Sequence, residues 1–562
     1  MNKKWEIYEA DEKKIEEISS KFEIDELIST VILNRGITDE EKIRIFLDPK
    51  RTDFYDPFLL PDMEKAVDRI LEGINRKEKI IIYGDYDVDG ITSITVLKRF
   101  LEERGIQVSS YIPNRLNEGY GLNKEAIKKI SDEGYTLMVT VDCGISGIDE
   151  VEYANSLGIE TIITDHHEPL DVLPNAIAVI DPKIKDSKYP FNQLAGVGVV
   201  FKVTQAISKK LGLEEKEFLK YLDLVCVGTI SDIVPLVDEN RVIAKLGLKL
   251  VEVTKNLGLR SLIDVSGYKK VDSNAISFGI APRVNACGRM GYENEALQLF
   301  LSEDQNEVEA LTYKLNKYNK DRQETEKAIV NEALEKIKTN NENENSVIVL
   351  GGENWHHGVI GIVASKITEM YFKPSILLCF EDDIAKGSGR SIPGFDLHDA
   401  LCKCSGDLEK YGGHEMAVGL SLKKENFTSF KENMQLYAKD KKIDEITPVI
   451  YVDKLIDSKK INLNMIKQLS LLEPFGEANK MPLFIYKNLK IDSIRALTEG
   501  KHLKLTLKDD NIMLNAIGFN MGNLANEYLI GDKVDVVGAL EINYYNGMEQ
   551  IQINLKDIMK SI

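Results

Sequence analysis

The chain of 562 residues carries 72 Lys and Arg against 91 Asp and Glu, a net charge of −19, with 43% hydrophobic and 29% charged residues. That composition belongs to a soluble globular protein of several domains, since roughly 150 residues make one, and it excludes broad, nonspecific coating of nucleic acid while leaving room for one local basic track. No apolar run reaches the ~18 residues that span a bilayer, and the polar start from Met1 to Glu6 has no signal-peptide core, so the expected compartment is the cytoplasm, with no membrane partner. Cysteines at 143, 226, 287, 379, 402 and 404 form neither a disulfide framework nor a paired zinc set.

Residues 1–75 read as a polar, helical extension packed on the neighbouring unit, interrupted by Pro49, Pro57 and Pro61. Over residues 76–303 apolar strand runs alternate with helical patterns. This predicts an α/β unit with a mostly parallel sheet covered by helices on both faces. The stretch from Ile80 to Gly90 opens as an apolar β-run and ends in Asp85, Asp87 and Asp89. In extended backbone these alternate positions share one face, and three carboxylates so close are costly unless neutralised. Two readings stay open for the stretch alone. One is a divalent Mn²⁺ or Mg²⁺ site; the other is a solvated loop ending in an Asp-Gly turn.

Ligands in such sheets collect at the carboxyl ends of the strands. Asp142 ends the run 137–141, Asp165-His166-His167 ends 162–164, and Asp232 follows the apolar segment 225–231. Singly, each has a plain reading, an Asp as a helix N-cap or a His as a hydrogen-bonded surface residue. Placed jointly on one sheet edge, they make an oxygen-rich set with an imidazole, which suits Mn²⁺ or Mg²⁺ better than structural zinc. Two ions roughly 3.5–4 Å apart with a shared carboxylate suit in-line phosphodiester hydrolysis.

Together, Gly84 to Gly90, Val141-Asp142-Cys143-Gly144, Asp165-His166-His167 and Gly228-Thr229-Ile230-Ser231-Asp232 resemble the DHH phosphoesterase superfamily. Leu194 to Lys202 and Ala281 to Met290 narrow the resemblance to the bacterial RecJ family of single-strand-specific 5′-to-3′ DNA exonucleases. The resemblance implies that Asp87, Asp89, Asp142, His166 and Asp232 hold two Mn²⁺ or Mg²⁺ ions, with Asp142 bridging. It implies that Asp85 orients the ligand loop or holds a water, and that His167 meets the scissile phosphate or leaving oxygen, helped by His414. The implied substrate is single-stranded DNA, the products 5′-mononucleotides, and the setting DNA repair and recombination. A monomer is expected, with a helicase and a single-strand-binding protein as candidate partners.

Residues 304–345 read as a connecting helix, continuous over 324–338, followed by an exposed linker from Asn340 to Asn345. Residues 346–440 form a second, smaller α/β unit. Its Gly387-Ser388-Gly389-Arg390 stretch reads either as a plain turn or as a phosphate cradle. The resemblance makes this unit a DHHA1 substrate-binding domain. Ser388 and Arg390 then belong to a pocket for a 5′-terminal phosphate, approached from the first lobe by Arg115 and by Arg283 or Arg289. Of His356 and His357, the second is the one expected to pack. Residues 448–562 show short alternating strands, 449–452 among them, and a hairpin signal at Asn546-Gly547. The count fits a small β-barrel, and the resemblance implies an OB-fold. Tyr544 and Tyr545 beside the hairpin tip either stack bases or cap the core. A phosphodiesterase for short substrates needs neither the N-terminal part nor a barrel, and a strand-binding relative with a dead site would have lost ligands that all stand here.

Overall fold

The computed structural model describes residues 3–115, 118–510, 512–545 and 548–561. In its first unit five strands form an all-parallel sheet in the order Val108–Tyr111, Ile80–Gly84, Leu137–Val141, Glu160–Thr164, Ala178–Ile180. The strands are nearly uniform apolar runs because both faces are covered. Ile80, Ile82, Val139 and Ile162 enter the main core, whereas Ile81, Tyr83 and Met138 enter a smaller one on the opposite face. The strand order switches at Ile80–Gly84, so its carboxyl end opens into the crevice where such sheets bind ligands.

The three aspartates after this strand do not share an extended face, as the alternation had implied. The strand stops at Gly84, Asp87 caps the helix Val88–Glu102 by accepting from the Gly90 amide at 3.0 Å, and Asp89 lies in the first helical turn. Gly90 permits this tight entry, because a Cβ there would stand 2.4 Å from the Asp85 carbonyl oxygen. Asp232 follows the helix Leu222–Ser231, which is buried on nearly every side. A uniformly apolar helix has no polar face to reveal its period, so its run resembles a buried strand.

The connecting helix is longer than its charge pattern implied, running over 35 residues from Gln305 to Thr339. Asp304 starts it by accepting from the amides of Asn306 and Glu307. The expected exposed linker is partly tied down, since Glu342 is buried and pairs with Lys431. The second unit holds a mixed sheet ordered Leu408–His414, Ala417–Lys423, Ile384–Arg390, Ser375–Glu381, Ile348–Gly352. Gly387 and Gly389 lie inside the strand Ile384–Arg390, not in a turn.

The C-terminal strands Phe484–Leu497, His502–Asp509, Ile512–Gly518, Lys533–Tyr545 and Met548–Lys560 form a closed barrel. Val449–Val452 stays outside it and pairs in parallel with Lys4–Ile7. The segment 1–75 therefore divides. Its helices Glu12–Phe22, Glu26–Asn34 and Glu40–Leu47 share a core with the barrel, through Ile28, Val31 and Phe46 against Leu469, Tyr486 and Leu503. Residues 54–60 and the helix Met63–Asn75 pack into the first unit, through Phe54, Tyr55, Phe58 and Leu60 and the helix's Met63, Ala66, Val67 and Ile70. Among the described residues no helix is long and apolar enough to cross a membrane.

Arg241 joins the two bodies. It lies fully buried on the helix Asp238–Val251 and donates to the carbonyls of Phe46, Leu471, Leu472 and Glu473. Burial lowers its pKa to about 9. Arg241→Leu strands several buried carbonyls and is expected to cost on the order of 3 kcal/mol. Thermal denaturation checks this, with the barrel end melting ahead of the parallel-sheet unit.

Candidate metal centre

Asp142 follows the third strand in the sheet with φ 58, a left-handed conformation that non-glycine residues rarely adopt. Its amide holds the turn by donating to the Thr164 carbonyl at 3.0 Å. Opposite it, the helix Gly196–Lys210 has no side-chain cap of its own. Asp89 supplies one from a distant part of the chain, accepting from the amides of Gly196 and Val197 at 2.7 Å each. The helix N-terminus thereby stabilises a buried carboxylate. A Cβ at position 196 would stand 2.6 Å from Asp142 Oδ1, so the position admits only glycine if both carboxylates stay where they are.

Three sets of donor atoms each lie within 4.8 Å of one another: Asp85, Asp87 and Asp142; Asp89, His166 and Asp232; and Asp142, His166 and His167. Asp142 and His166 each belong to two of the sets. His166 Nε2 stands 3.1 Å from Asp142 Oδ1, 3.6 Å from Asp232 Oδ2 and 3.8 Å from Asp89 Oδ2. Asp85 stands in the cluster, its donor atoms within 4.8 Å of those of Asp87 and Asp142.

Crowding and burial oppose charge on these carboxylates. Burial and then Asp87 raise Asp89 to about 7. Burial and then Asp89 raise Asp232 to about 9. Burial pushes Asp85 and Asp142 well above the usual carboxylate range, reinforced by Asp87 in the first and Asp89 in the second. His166 moves down to about 3, through burial and then the neighbouring His167, so its imidazole is neutral. Among the described residues Asp85 Oδ1, Asp142 Oδ1 and His166 Nε2 are buried without a hydrogen-bond partner, the last two facing each other at 3.1 Å without forming one. Orphaned carboxylate oxygens around a neutral imidazole fit Mn²⁺ or Mg²⁺.

His167 behaves differently. Its Nδ1 lies 2.7 Å from Asp165 Oδ1, and its Nε2 lies 3.1 Å from the Tyr120 hydroxyl. Burial would lower its pKa, but the hydrogen bond and charge of Asp165, together with the charges of Asp232 and Asp89, outweigh it and raise it to about 9. Asp165 also accepts from the amides of Ile145 and His166 at 2.9 and 2.7 Å. Asp165 and Tyr120 therefore orient the imidazole. The first was visible as the opening residue of the Asp-His-His motif; Tyr120 carries no local signal.

A second charge cluster stands beside the first. Burial lowers Arg289 to about 10, followed by Arg115, Arg322 and Arg390. Arg390 is lowered by burial and by Arg115. Among the described residues no carboxylate pairs with Arg115, Arg289 or Arg390. Arg390 Nη1 donates to Ser388 Oγ at 3.1 Å, and Arg289 Nη1 to the Gly358 carbonyl at 3.0 Å, across the lobes. Gly361 lets the helix His357–Tyr371 approach, since a Cβ there would meet Ser388 Oγ at 3.0 Å.

Other candidates lie elsewhere. Arg283 donates to Asn316 Oδ1, the Gly279 carbonyl and the Val265 carbonyl, so it braces helices. His356 caps the helix His357–Tyr371, accepting from the Gly358 amide at 3.1 Å, while His357 is exposed in the field of Lys386, Glu381 and Arg115. This reverses the expected roles of the pair. His414 is exposed at the end of the strand Leu408–His414 and makes no hydrogen bond to the cluster among the described residues. Tyr544 and Tyr545 end the strand Lys533–Tyr545, but their side chains and the turn Asn546-Gly547 lie outside the described residues.

A parallel sheet with carboxylates and one buried imidazole at its switch point defines a phosphoesterase of the DHH class. Residues 79–229 match the N-terminal domain of the DHH family, 344–440 the DHHA1 domain, and 452–557 the RecJ OB domain. The single-stranded-DNA-specific exonuclease RecJ of Bacillus subtilis is 38% identical over 99% of this chain and 70% of its own length. RecJ of Thermus thermophilus in complex with Mn²⁺ superposes with a TM-score of 0.87 at 30% identity, covering 100% of this chain and 80% of that one. The same protein with Mg²⁺ gives 0.82 at 28%, covering 100% and 79%. The chain belongs to the RecJ family of single-stranded-DNA-specific exonucleases.

Two outcomes test the site. Gly196→Ala should keep the fold yet displace Asp142, lowering Mn²⁺ affinity at least tenfold by isothermal titration, a shift of about 1.4 kcal/mol or more. The second concerns pH. Asp89 and Asp232 have folded-state values of about 7 and 9, above the ordinary 3.8. Without metal, the stability tied to these protons is fully present below about pH 4 and is lost as pH rises through those values. The gain in Tm on replacing EDTA with Mn²⁺ should therefore be larger near about pH 9 than near about pH 6.

Proposed function

We propose that the protein is a 5′-to-3′ exonuclease that hydrolyses single-stranded DNA to 5′-mononucleotides in DNA repair and recombination, using two Mn²⁺ or Mg²⁺ ions. One observation carries this reading. A cluster of orphaned buried carboxylates stands beside a cluster of guanidiniums that lack carboxylate partners among the described residues. The first calls for cations and the second for a phosphate. The names and metal complexes of the RecJ relatives support the same reading.

Asp87 and Asp142, joined by Asp85, would hold one ion; Asp89, His166 and Asp232 the other; Asp142 would bridge. When bound, such ions lower the pKa of water and offset charge on the attacking and leaving oxygens. Arg115, Arg289 and Arg390 hold the 5′-terminal phosphate through guanidinium N–H groups, and Ser388 adds a hydroxyl. That anchor, set close to the carboxylates, limits each cut to one nucleotide. Raised to about 9, His167 is an imidazolium near neutral pH: its Nδ1–H donates to Asp165, and its Nε2–H delivers a proton to the departing 3′ oxygen. His414 is the second imidazole assigned to the scissile phosphate. The barrel holds the remaining strand, and a helicase and a single-strand-binding protein would present it.

Digestion of end-labelled, 5′-phosphorylated single strands with Mn²⁺ should release the 5′ label first and leave a 3′ label on shortened chains. Asp142→Ala should abolish turnover while strand binding stays within about threefold. Retained turnover would remove Asp142 from the metal site. A dinucleotide cut as fast as a long strand would favour a small-substrate phosphodiesterase instead.

A further inference from the structure

Two of the arginines assigned to the terminal phosphate come from separate turns of the chain. Arg115 stands in the loop after the strand Val108–Tyr111, and Arg289 near the end of the helix Ala281–Met290. The charge of Arg115 adds to burial in lowering the pKa of Arg289, so each feels the other. Like charges push the two turns apart. Some other contact must hold them at the separation a phosphate needs.

Asn114 and Glu293 make that contact. Asn114 Nδ2 donates to Glu293 Oε1 at 3.0 Å. Asn114 directly precedes Arg115, and Glu293 follows Arg289 closely in the chain. The path from Arg289 to Glu293 is short and fixed. Gly291 ends the first helix with φ 80, and Tyr292, stacked on Tyr318 with ring centroids 4.3 Å apart, precedes the helix Glu293–Leu301. On the other side, Glu118 accepts from the Asn114 amide and from the Tyr111 hydroxyl at 2.6 Å each, which ties the loop to its own strand. Glu293 is a poor choice for helix packing alone. It is 4% exposed, and its Oε2 has no hydrogen-bond partner among the described residues. A carboxylate kept to favour the first turn of a helix would serve as well at the surface; burying it with one oxygen idle costs stability.

We propose that the Asn114–Glu293 clasp sets the spacing of Arg115 and Arg289 and thereby the preference for a strand that ends in a 5′-phosphate. Both are positioning residues, acting through Arg115. The inference rests on the phosphate-anchor reading above and adds the element that makes the anchor selective. Guanidiniums on two turns share one phosphate only at the right separation. A terminal hydroxyl gains nothing from that separation, so loss of the clasp is felt by the phosphorylated strand.

Steady-state cleavage with Mn²⁺, measured on 3′-labelled single strands that end in a 5′-phosphate or a 5′-hydroxyl, tests the clasp. The unaltered protein should show the lower KM for the phosphorylated strand. Glu293→Ala should raise that KM roughly tenfold and change KM for the hydroxyl strand by less than about twofold. Turnover of the hydroxyl strand is the folding control. Glu293→Gln keeps a carbonyl oxygen for Asn114 Nδ2 and should retain the preference. Asn114→Asp sets two carboxylates against each other and should lose it. In the Arg115→Ala background, Glu293→Ala should add nothing further. An intact preference in Glu293→Ala, equal loss on both strands, or additivity with Arg115→Ala would overturn the clasp and leave the phosphate anchor standing. No preference in the unaltered protein would overturn the anchor itself, and the clasp with it.

Discussion

The structure turns on one electrostatic problem, the burial of several carboxylates within one small volume. Asp85, Asp89 and Asp142 are nearly inaccessible to water, and Asp232 leans against them. Their mutual repulsion opposes folding. The surrounding elements are arranged around that repulsion. The helix Gly196–Lys210 turns its first two amides on Asp89. Asp87 commits one oxygen to the Gly90 amide. Asp142 accepts a strained backbone to aim its side chain at the same point. These devices hold geometry but do not remove the charge, and that imbalance gives the site its affinity for cations.

The guanidinium cluster is the same problem with the sign reversed. Arg289 and Arg390 lose solvent, feel Arg115, and have no carboxylate among the described residues to relieve them. The two imbalances are neighbours, with Arg115 over the ring of Tyr86, which stands between Asp85 and Asp87. A phosphodiester with a terminal phosphate offers anionic oxygens to the arginines and, through bound cations, to the aspartates. The net charge of −19 is consistent with this arrangement. Positive potential confined to one pocket favours a strand end over the continuous length of a polyanion.

Much of this was legible in the chain because the ligands fall where strands stop. The uniform apolar runs, each followed by Asp or Asp-His-His, mark the edge of a parallel sheet by pattern alone. Three features were hidden for physical reasons. The grouping of Asp85, Asp87 and Asp89 depends on a helix start, whereas alternation suggested a strand. Val449–Val452 looked like a barrel strand because its local pattern is that of a strand; its partner Lys4–Ile7 lies at the other end of the chain, and local pattern carries no such pairing. Which of Arg283 and Arg289 reaches the second lobe depends on the face of one helix that meets it. Both arginines occupy the same short motif, and only packing separates them.

The long-range closure bears on the chemistry. Leu236, four positions beyond Asp232, donates its amide to the Glu477 carbonyl at 2.8 Å, and Arg241 fixes the carbonyls of 471–473 from the next helix. Arg35 grips Asp453 at 2.9 Å and donates to the Lys480 carbonyl at 2.9 Å. The barrel, the N-terminal helices and the Asp232 loop are therefore braced through one short segment. Misplacing reacting groups by about 1 Å can cost on the order of a hundredfold in rate. The barrel keeps a fixed register to the carboxylates only if this bracing is stiff. The chain meets that requirement by burying an arginine among backbone carbonyls, where any shift would leave a charge unsolvated.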